Sequence, residues 1–180
     1  MAIGMLWASR WGVIAITDQS QARVLIRPQE GNTLTITSHT VTVGSQFTAL
    51  VRVLGPTAVA GVDMRLTFNP TYLEVLEIIL VSNGLDEFYR DYSNSAGYIE
   101  YSKGTLGAAV SPDFTLVQIK FRAKAATAGT ALSFDRGECS MIDDNNDLIP
   151  LSFQDGTVVI EEPPTHTPTP TRTPTPTHTP

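Results

Sequence analysis

The sequence predicts an all-β fold, a two-sheet antiparallel β-sandwich of the jelly-roll type. Apolar and polar residues alternate along most of the body of the chain, as in strands with one buried and one solvent-facing side. Gly, Pro, Asn and Asp interrupt these segments at short intervals and mark turns. No long segment has the 3.6-residue apolar period of a helix. Many short strands at near-regular spacing are typical of a sandwich or a jelly roll.

The alternation is clearest in segments 47–53, 61–68 and 116–123, where every second residue from Phe47, Val62 and Val117 onward is apolar. We predict that these apolar side chains form the core, because successive side chains of a strand point to opposite faces. The same alternation places the residues between them on the outer surface of the sheet.

The remaining predicted strands are, in chain order, 23–27, 33–37, 73–80, 98–102, 131–134, 139–142, 148–153 and 157–160. Turn residues at Gly55-Pro56, Asn69-Pro70, 94–97, 143–147 and Asp155-Gly156 separate several of them. Segment 72–79 has the length of two helical turns, but its Ile and Val content and the proline just upstream favour a strand.

Both ends of the chain differ from the body, residues 23–161. Residues 1–22 hold two short apolar runs broken by Arg10, and neither is long enough to span a bilayer. We interpret this leader as a possible degenerate signal peptide, because Ser20-Gln21-Ala22 puts small residues where a signal peptidase reads. The alternative is a mis-assigned start codon.

Residues 162–180 form a Thr-Pro repeat that cannot pack. Proline lacks an N–H and restricts the residue before it to extended geometry, and the repeat offers no apolar side chains. We predict a disordered, extended spacer with about 3.1 Å of reach per residue, whose threonines suit O-glycosylation. Such a linker points to an extracellular or cell-surface protein.

Composition and motifs exclude several classes of function. The net charge is −6 and no Lys/Arg cluster occurs, which argues against a nucleic-acid partner. Cys139 is the one cysteine and His39 the one histidine of the body, so a disulfide, a Cys-based metal cluster and a Cys–His nucleophile are not predicted. The carboxylates of Asp86, Glu87 and Asp91 lack the second cluster and cleft of a glycosidase. We predict that the chain is not an enzyme.

The order of motifs resembles the cohesin family. The matching pieces are Val43-Gly44-Ser45-Gln46-Phe47-Thr48, the stretch 60–75 with its Phe68-Asn69-Pro70 and Leu73-Glu74-Val75, Gly97-Tyr98-Ile99-Glu100-Tyr101, the strand 116–124, the acidic turn 143–147, and Asp155-Gly156-Thr157-Val158. The resemblance covers residues 24–160, nearly the whole body.

This resemblance implies a jelly-roll sandwich of about nine strands. It also implies a non-catalytic extracellular module that holds a dockerin-type module of another secreted protein, often a glycoside hydrolase, and so belongs to polysaccharide-degrading assemblies. The family binds dockerin on the flat outer face of one sheet. Asp63 falls where many members carry an interface Asp, and Gly61 falls where many carry an Asn.

The first candidate site is the outward face of two strands that we predict to be neighbours. Rigid strands, a few charges and an aromatic anchor are what a recognition surface needs. The alternative is a solvated sheet face with cross-strand ion pairs. The predicted partner-binding residues are Gly61, Asp63, Arg65, Thr67, Tyr98, Glu100 and Ser102.

The second candidate is a calcium site in the acidic turn. Asp143, Asn145 and Asp147 have the spacing that opens an EF-hand loop, but Leu148 and Gln154 stand where that loop needs Gly and Glu. The sequence favours a metal-free turn, since Asp and Asn also stabilise turns by themselves. No other cofactor is predicted.

The third candidate is an aromatic strip that would stack on sugars, as in a carbohydrate-binding module. Its members are Phe88, Tyr89, Tyr92, Tyr98 and Tyr101. Against it, Tyr101 is predicted to point inward and Phe88 to lie in the core. A cell-surface spacer domain without a ligand remains the last alternative.

Overall fold

The computed structural model describes residues 31–164, which form two packed β-sheets. Within this range the chain has no helix, and so none that could cross a membrane. The strands are β1 (Asn32–Ile36), β2 (His39–Thr42), β3 (Gln46–Leu54), β4 (Gly61–Phe68), β5 (Leu73–Leu80), β6 (Asp86–Ser93), β7 (Tyr98–Gly104), β8 (Phe114–Ala123), β9 (Thr127–Phe134), β10 (Ser140–Ile142), β11 (Leu151–Gln154) and β12 (Gly156–Glu161).

The first sheet has the strand order β11-β1-β3-β8-β5, and the second has the order β2-β12-β9-β4-β7-β6. One side of β4 is shared by two strands, because β10 pairs with its first residues and β9 with its last. Pairing is antiparallel except that β1 runs parallel to β11 and β2 runs parallel to β12. The chain passes from the first sheet to the second after β1 and again after β11. These two crossings lie side by side, since Thr157 N–H donates to Ser38 Oγ at 3.0 Å.

The core lies between the sheets and consists of the alternate apolar residues that the sequence predicts. Met64 and Phe121 are 2% and 0% exposed, and they come from opposite sheets. Phe121 packs against Phe47 and Phe68, with ring centroids 5.5 and 5.7 Å apart. Removing a side chain of this size from water contributes about 1.5–3 kcal/mol, so the alternation itself stabilises the sandwich.

Polar contacts around the buried Lys103 and the exposed Arg90 close the side of the sandwich between β5 and β6. The Lys103 ammonium, carried on the inner face of β7, donates to Val81 O at 2.6 Å and to Asn83 Oδ1 at 3.0 Å. Burial lowers the pKa of Lys103. Arg90 of β6 donates to Ile78 O of β5 at 3.3 Å. These bonds fix β6 and β7 against the first sheet and hold the outer surface of β7 in place.

The structure confirms the all-β sandwich and corrects several details. The described residues contain twelve strands rather than about nine, and the two parallel pairs interrupt an otherwise antiparallel arrangement. Strands β2 and β6 were not predicted, because neither has an apolar alternation. The last part of segment 148–153 is β11, whereas Leu148 makes an isolated bridge to Ile142. The predicted strand 23–27, the leader and nearly all of the Thr-Pro segment lie outside the described residues.

Candidate functional site

Strands β4 and β7 bring the seven predicted residues together on the outer side of the second sheet. Their register places Asp63 opposite Ser102, Arg65 opposite Glu100, and Thr67 opposite Tyr98. Asp63 is exposed, and the other six are partly exposed. We call this surface the plateau, defined by the predicted residues Gly61, Asp63, Arg65, Thr67, Tyr98, Glu100 and Ser102. It sits on central strands, which hold its side chains at fixed spacing.

Asp63 is oriented by two hydroxyl groups from its two neighbouring strands. Ser102 Oγ of β7 donates to its Oδ1 at 2.5 Å, and Ser140 Oγ of β10 donates to its Oδ2 at 3.2 Å. A carboxylate has lone pairs to spare after two such bonds. Asp63 therefore presents a fixed anionic acceptor to solvent from an interior strand of the sheet.

Arg65 is surrounded by three partners. Its Nη1 donates to Glu100 Oε1 at 2.6 Å, and its Nε lies 3.9 Å from Asp135 Oδ2. Its guanidinium also lies 4.9 Å from the centre of the Tyr98 ring. Since the Arg65 side chain is only 34% exposed, its charge is largely taken up by these neighbours. The cation thus organises the plateau rather than projecting from it.

Strand β6 adds two residues to this surface that the sequence did not assign to it. Tyr89 lies next to Ser102 and Asp91 lies next to Glu100 in the β6–β7 register. Tyr98 Oη donates to Asp91 Oδ2 at 3.1 Å, and this hydrogen bond raises the pKa of Tyr98. The bond therefore joins the phenol of β7 to a carboxylate of β6. No apolar alternation along β6 signalled this placement, because β6 is an edge strand exposed on much of its surface.

The plateau is acidic. Carboxylates of Asp63, Asp91 and Glu100 lie on it, and Asp135 and Glu138 lie beside it in the loop between β9 and β10. Arg65 supplies the positive charge among these groups, and it is paired with Glu100. A shallow groove of about 400 Å³ runs between that loop and Tyr89, and Asp63 and Glu100 line it. Such a surface attracts a partner with basic groups.

The residues of the predicted aromatic strip lie in different environments. Tyr101 is 1% exposed and points into the core, as predicted. The prediction that Phe88 lies in the core is wrong, because its side chain is 64% exposed. The register between β6 and β7 shifts between Glu87 and Tyr89, and this bulge turns Phe88 outward beside Gly104.

The acidic turn is stabilised by its own side chain. Asp143 Oδ1 accepts hydrogen bonds from the backbone N–H groups of Asn145 and Asp147, both at 2.9 Å. Asn146 adopts a positive φ of 62°, which Asn tolerates better than most residues. Across residues 31–164, no group of three or more His, Cys, Asp or Glu side chains is arranged to hold a metal ion. The geometry is that of an Asx-stabilised hairpin turn.

Comparison with known proteins identifies the fold. The profile of the family described as Cohesin domain matches residues 32–160. No curated protein matches the sequence. Among solved structures, the cohesin CaCohA2 from Clostridium acetobutylicum is 16% identical with a TM-score of 0.66, covering 74% of this chain and 92% of that one.

Two further solved structures are similar. A non-cellulosomal cohesin from the archaeon Archaeoglobus fulgidus is 20% identical with a TM-score of 0.62, covering 72% of this chain and 91% of that one. The sixth cohesin of scaffoldin B from Acetivibrio cellulolyticus, solved with a mutant Cel5 dockerin, is 18% identical with a TM-score of 0.64, covering 73% and 99%. At these identities the likeness shows the fold alone.

Proposed function

Because the chain belongs to the cohesin family, we propose that it is a non-catalytic module that holds a dockerin-type module of another protein on the plateau. The observation that carries this proposal is Asp63, an exposed carboxylate held by Ser102 and Ser140 on an interior strand of the second sheet. An acceptor fixed before binding loses little conformational freedom when a partner donates to it. Several of the similar solved structures are complexes of a cohesin with a dockerin.

The charge of the plateau supports a basic partner surface. The carboxylates around Arg65 would accept hydrogen bonds from Lys or Arg side chains, and charged hydrogen bonds of this kind are stronger than neutral ones. Tyr98 and Tyr89 supply the aromatic area that protein interfaces favour. We therefore expect the partner to present Lys or Arg groups opposite Asp63, Asp91 and Glu100.

We also propose that the protein acts outside the cell or at its surface, in an assembly that degrades polysaccharides. The Thr-Pro segment supports the location, since such spacers tether modules of secreted proteins. The link to polysaccharides follows from the kind of partner that cohesins hold. It is tested by the identity of the protein that carries the bound dockerin.

The experiment is a binding screen of the full chain against the dockerin modules encoded in the same genome, read by calorimetry. We expect at least one dockerin to bind with a Kd of about 1 µM or tighter, and to lose this affinity to Asp63→Ala. Glu74→Ala on the first sheet is the matched control. Pull-down on cellulose and other polysaccharides tests the carbohydrate alternative. Failure in both assays would leave a spacer domain without a ligand.

A further inference from the structure

Two glycines face each other at one end of the plateau and leave a recess in the outer surface. Gly61 of β4 lies directly opposite Gly104 of β7. A Cβ on Gly104 would lie 2.7 Å from Phe88 Cε2, and one on Gly61 would lie 3.0 Å from Ile142 Cγ1. The recess between these side chains has a volume of about 250 Å³. The two glycines form its floor and let Phe88 and Ile142 pack close against the strands on either side of it.

The walls of this apolar recess come from segments far apart in the sequence. They are formed by Phe88 of the β6 bulge, Leu106 after β7, and Ile142 of β10. Phe88 is 64% exposed and Leu106 is fully exposed. Leu148, 70% exposed, lies next to Ile142 through their isolated bridge. The rim is polar and includes Asp63, Ser140 and Asn146.

Exposed apolar side chains concentrate at this point. The described residues contain six large hydrophobic residues that are exposed; two of them, Phe88 and Leu106, line the recess, and a third, Leu148, pairs with its wall residue Ile142. Scattered exposed side chains need no explanation, whereas a contiguous apolar patch with a polar rim marks an interaction surface. The recess is continuous with the plateau through Asp63, which lines it as well as the adjoining groove.

We propose that the apolar recess takes one large apolar side chain of the protein partner, flanked on that partner by Lys or Arg groups that contact the plateau. This inference rests on the proposed function and specifies the chemistry of the partner. A volume of about 250 Å³ is below the roughly 300 Å³ at which pockets for drug-sized molecules begin. It suits a single Leu, Ile, Met or Phe side chain, which would be buried against Phe88 and Ile142.

Charge decides against a second copy of this chain as the occupant. Two copies docked through this surface would bring Asp63, Asp91 and Glu100 of each against the same carboxylates of the other. Like charges across an interface oppose association. A partner with an apolar anchor between cations avoids this repulsion and uses both the recess and the plateau.

The test uses a phage-display library built on the Cel5 dockerin scaffold, randomised at exposed positions and selected on the full chain. We expect selected binders to be enriched in an apolar residue flanked by Lys or Arg. Their affinity should fall at least about tenfold for Phe88→Ser combined with Leu106→Ser, and for Gly61→Leu, which fills the recess. Leu80→Ser, an exposed leucine on β5, is the matched control and should leave affinity unchanged.

The two recess variants act oppositely, one removing walls and one adding bulk, so misfolding of one, seen by circular dichroism, leaves the other to decide. Binders whose affinity falls with Asp63→Ala but is unchanged by both recess variants would overturn the inference while leaving the proposed function intact. Binders whose affinity is unchanged by Asp63→Ala but falls with the recess variants would instead overturn the proposal that the partner binds the plateau. Binders whose affinity is unchanged by Asp63→Ala and by the recess variants would overturn both the proposed binding surface and the inference. Self-association of the chain alone, abolished by Phe88→Ser in sedimentation, would make a second copy the occupant and overturn our assignment.

Discussion

Arg65 lies over the ring of Tyr98, 4.9 Å from its centroid, although the two residues are diagonal rather than direct neighbours in the pairing of β4 with β7. Diagonal neighbours on a sheet are within reach of long side chains. The contact keeps the guanidinium at the surface of the sheet, where it also meets Glu100. The plateau is therefore a connected layer of side chains that is already ordered before a partner arrives.

Replacing Asp63 and Tyr98 together by Ala should reduce partner affinity by about 100-fold or more, since interface hot spots cost about 2 kcal/mol or more each. Both side chains lie on the outer surface, so the free energy of unfolding should change by less than about 1 kcal/mol. Calorimetry measures the first quantity and urea unfolding the second. Unchanged affinity, with Glu74→Ala as the reference, would show that the partner binds elsewhere.

Introducing a charge into the core should unfold the domain. Met64→Asp and Phe121→Asp each bury a carboxylate without a partner, which costs several kcal/mol. Gln118→Asp is the matched control, because Gln118 precedes Ile119 on β8 and points to the opposite, outer side. Thermal unfolding followed by circular dichroism should show a cooperative transition for the control alone. A retained transition in the core variants would refute the assigned alternation.

The turn after β10 should depend on the side-chain oxygen of Asp143 rather than on a metal ion. Asp143→Ala removes the acceptor for two backbone N–H groups and should cost about 1 kcal/mol, whereas Asp143→Asn keeps an acceptor and should cost less. Adding millimolar Ca²⁺ should leave the Tm of the wild-type chain unchanged. A clear rise in Tm that disappears in both variants would instead identify a calcium site.

Stability should fall on mild acidification because of His39. Burial lowers the pKa of this imidazole below its ordinary value of 6.5, and its Nε2 lies 2.8 Å from Thr37 Oγ1. As the pH falls, the unfolded chain therefore binds a proton at His39 before the folded chain does. The contribution of the neutral imidazole to stability is fully present above pH 6.5 and is lost as the pH falls through the pKa of the folded state. Urea unfolding between pH 7.5 and 5.5 should show this slope, and His39→Gln should flatten it. Equal slopes would contradict the assignment.

The interior strands of both sheets could be predicted from sequence because burial on one side imposes a strict alternation. Strands β3, β4 and β8 follow this rule, and so Asp63 and Arg65 were placed on the correct side. The pairing of β4 with β7 then brought Tyr98, Glu100 and Ser102 beside them. Whether these residues bind a partner stays a prediction.

The edge strand and the recess could not be predicted, for two physical reasons. Strand β6 is exposed on much of its surface and carries a bulge between Glu87 and Tyr89, so its apolar residues follow no period. The recess depends on the meeting of Leu106, Ile142 and Phe88, which only strand pairing brings together. Its floor is formed by Gly61 and Gly104, and the sequence pattern does not show which side chains pack against a glycine.

The two parallel pairs, β1 with β11 and β2 with β12, determine how the domain would carry mechanical load. The first strand begins at Asn32, which pairs with Leu151. The last strand ends at Glu161, which pairs with Thr42 at the opposite end of the two parallel pairs. Tension applied across the domain would drag the first two strands and the last two in opposite directions along their shared length. Their hydrogen bonds would then be loaded in shear, all at once, rather than unzipped one by one. Such a geometry should slow forced unfolding, which is governed by the rate of unfolding.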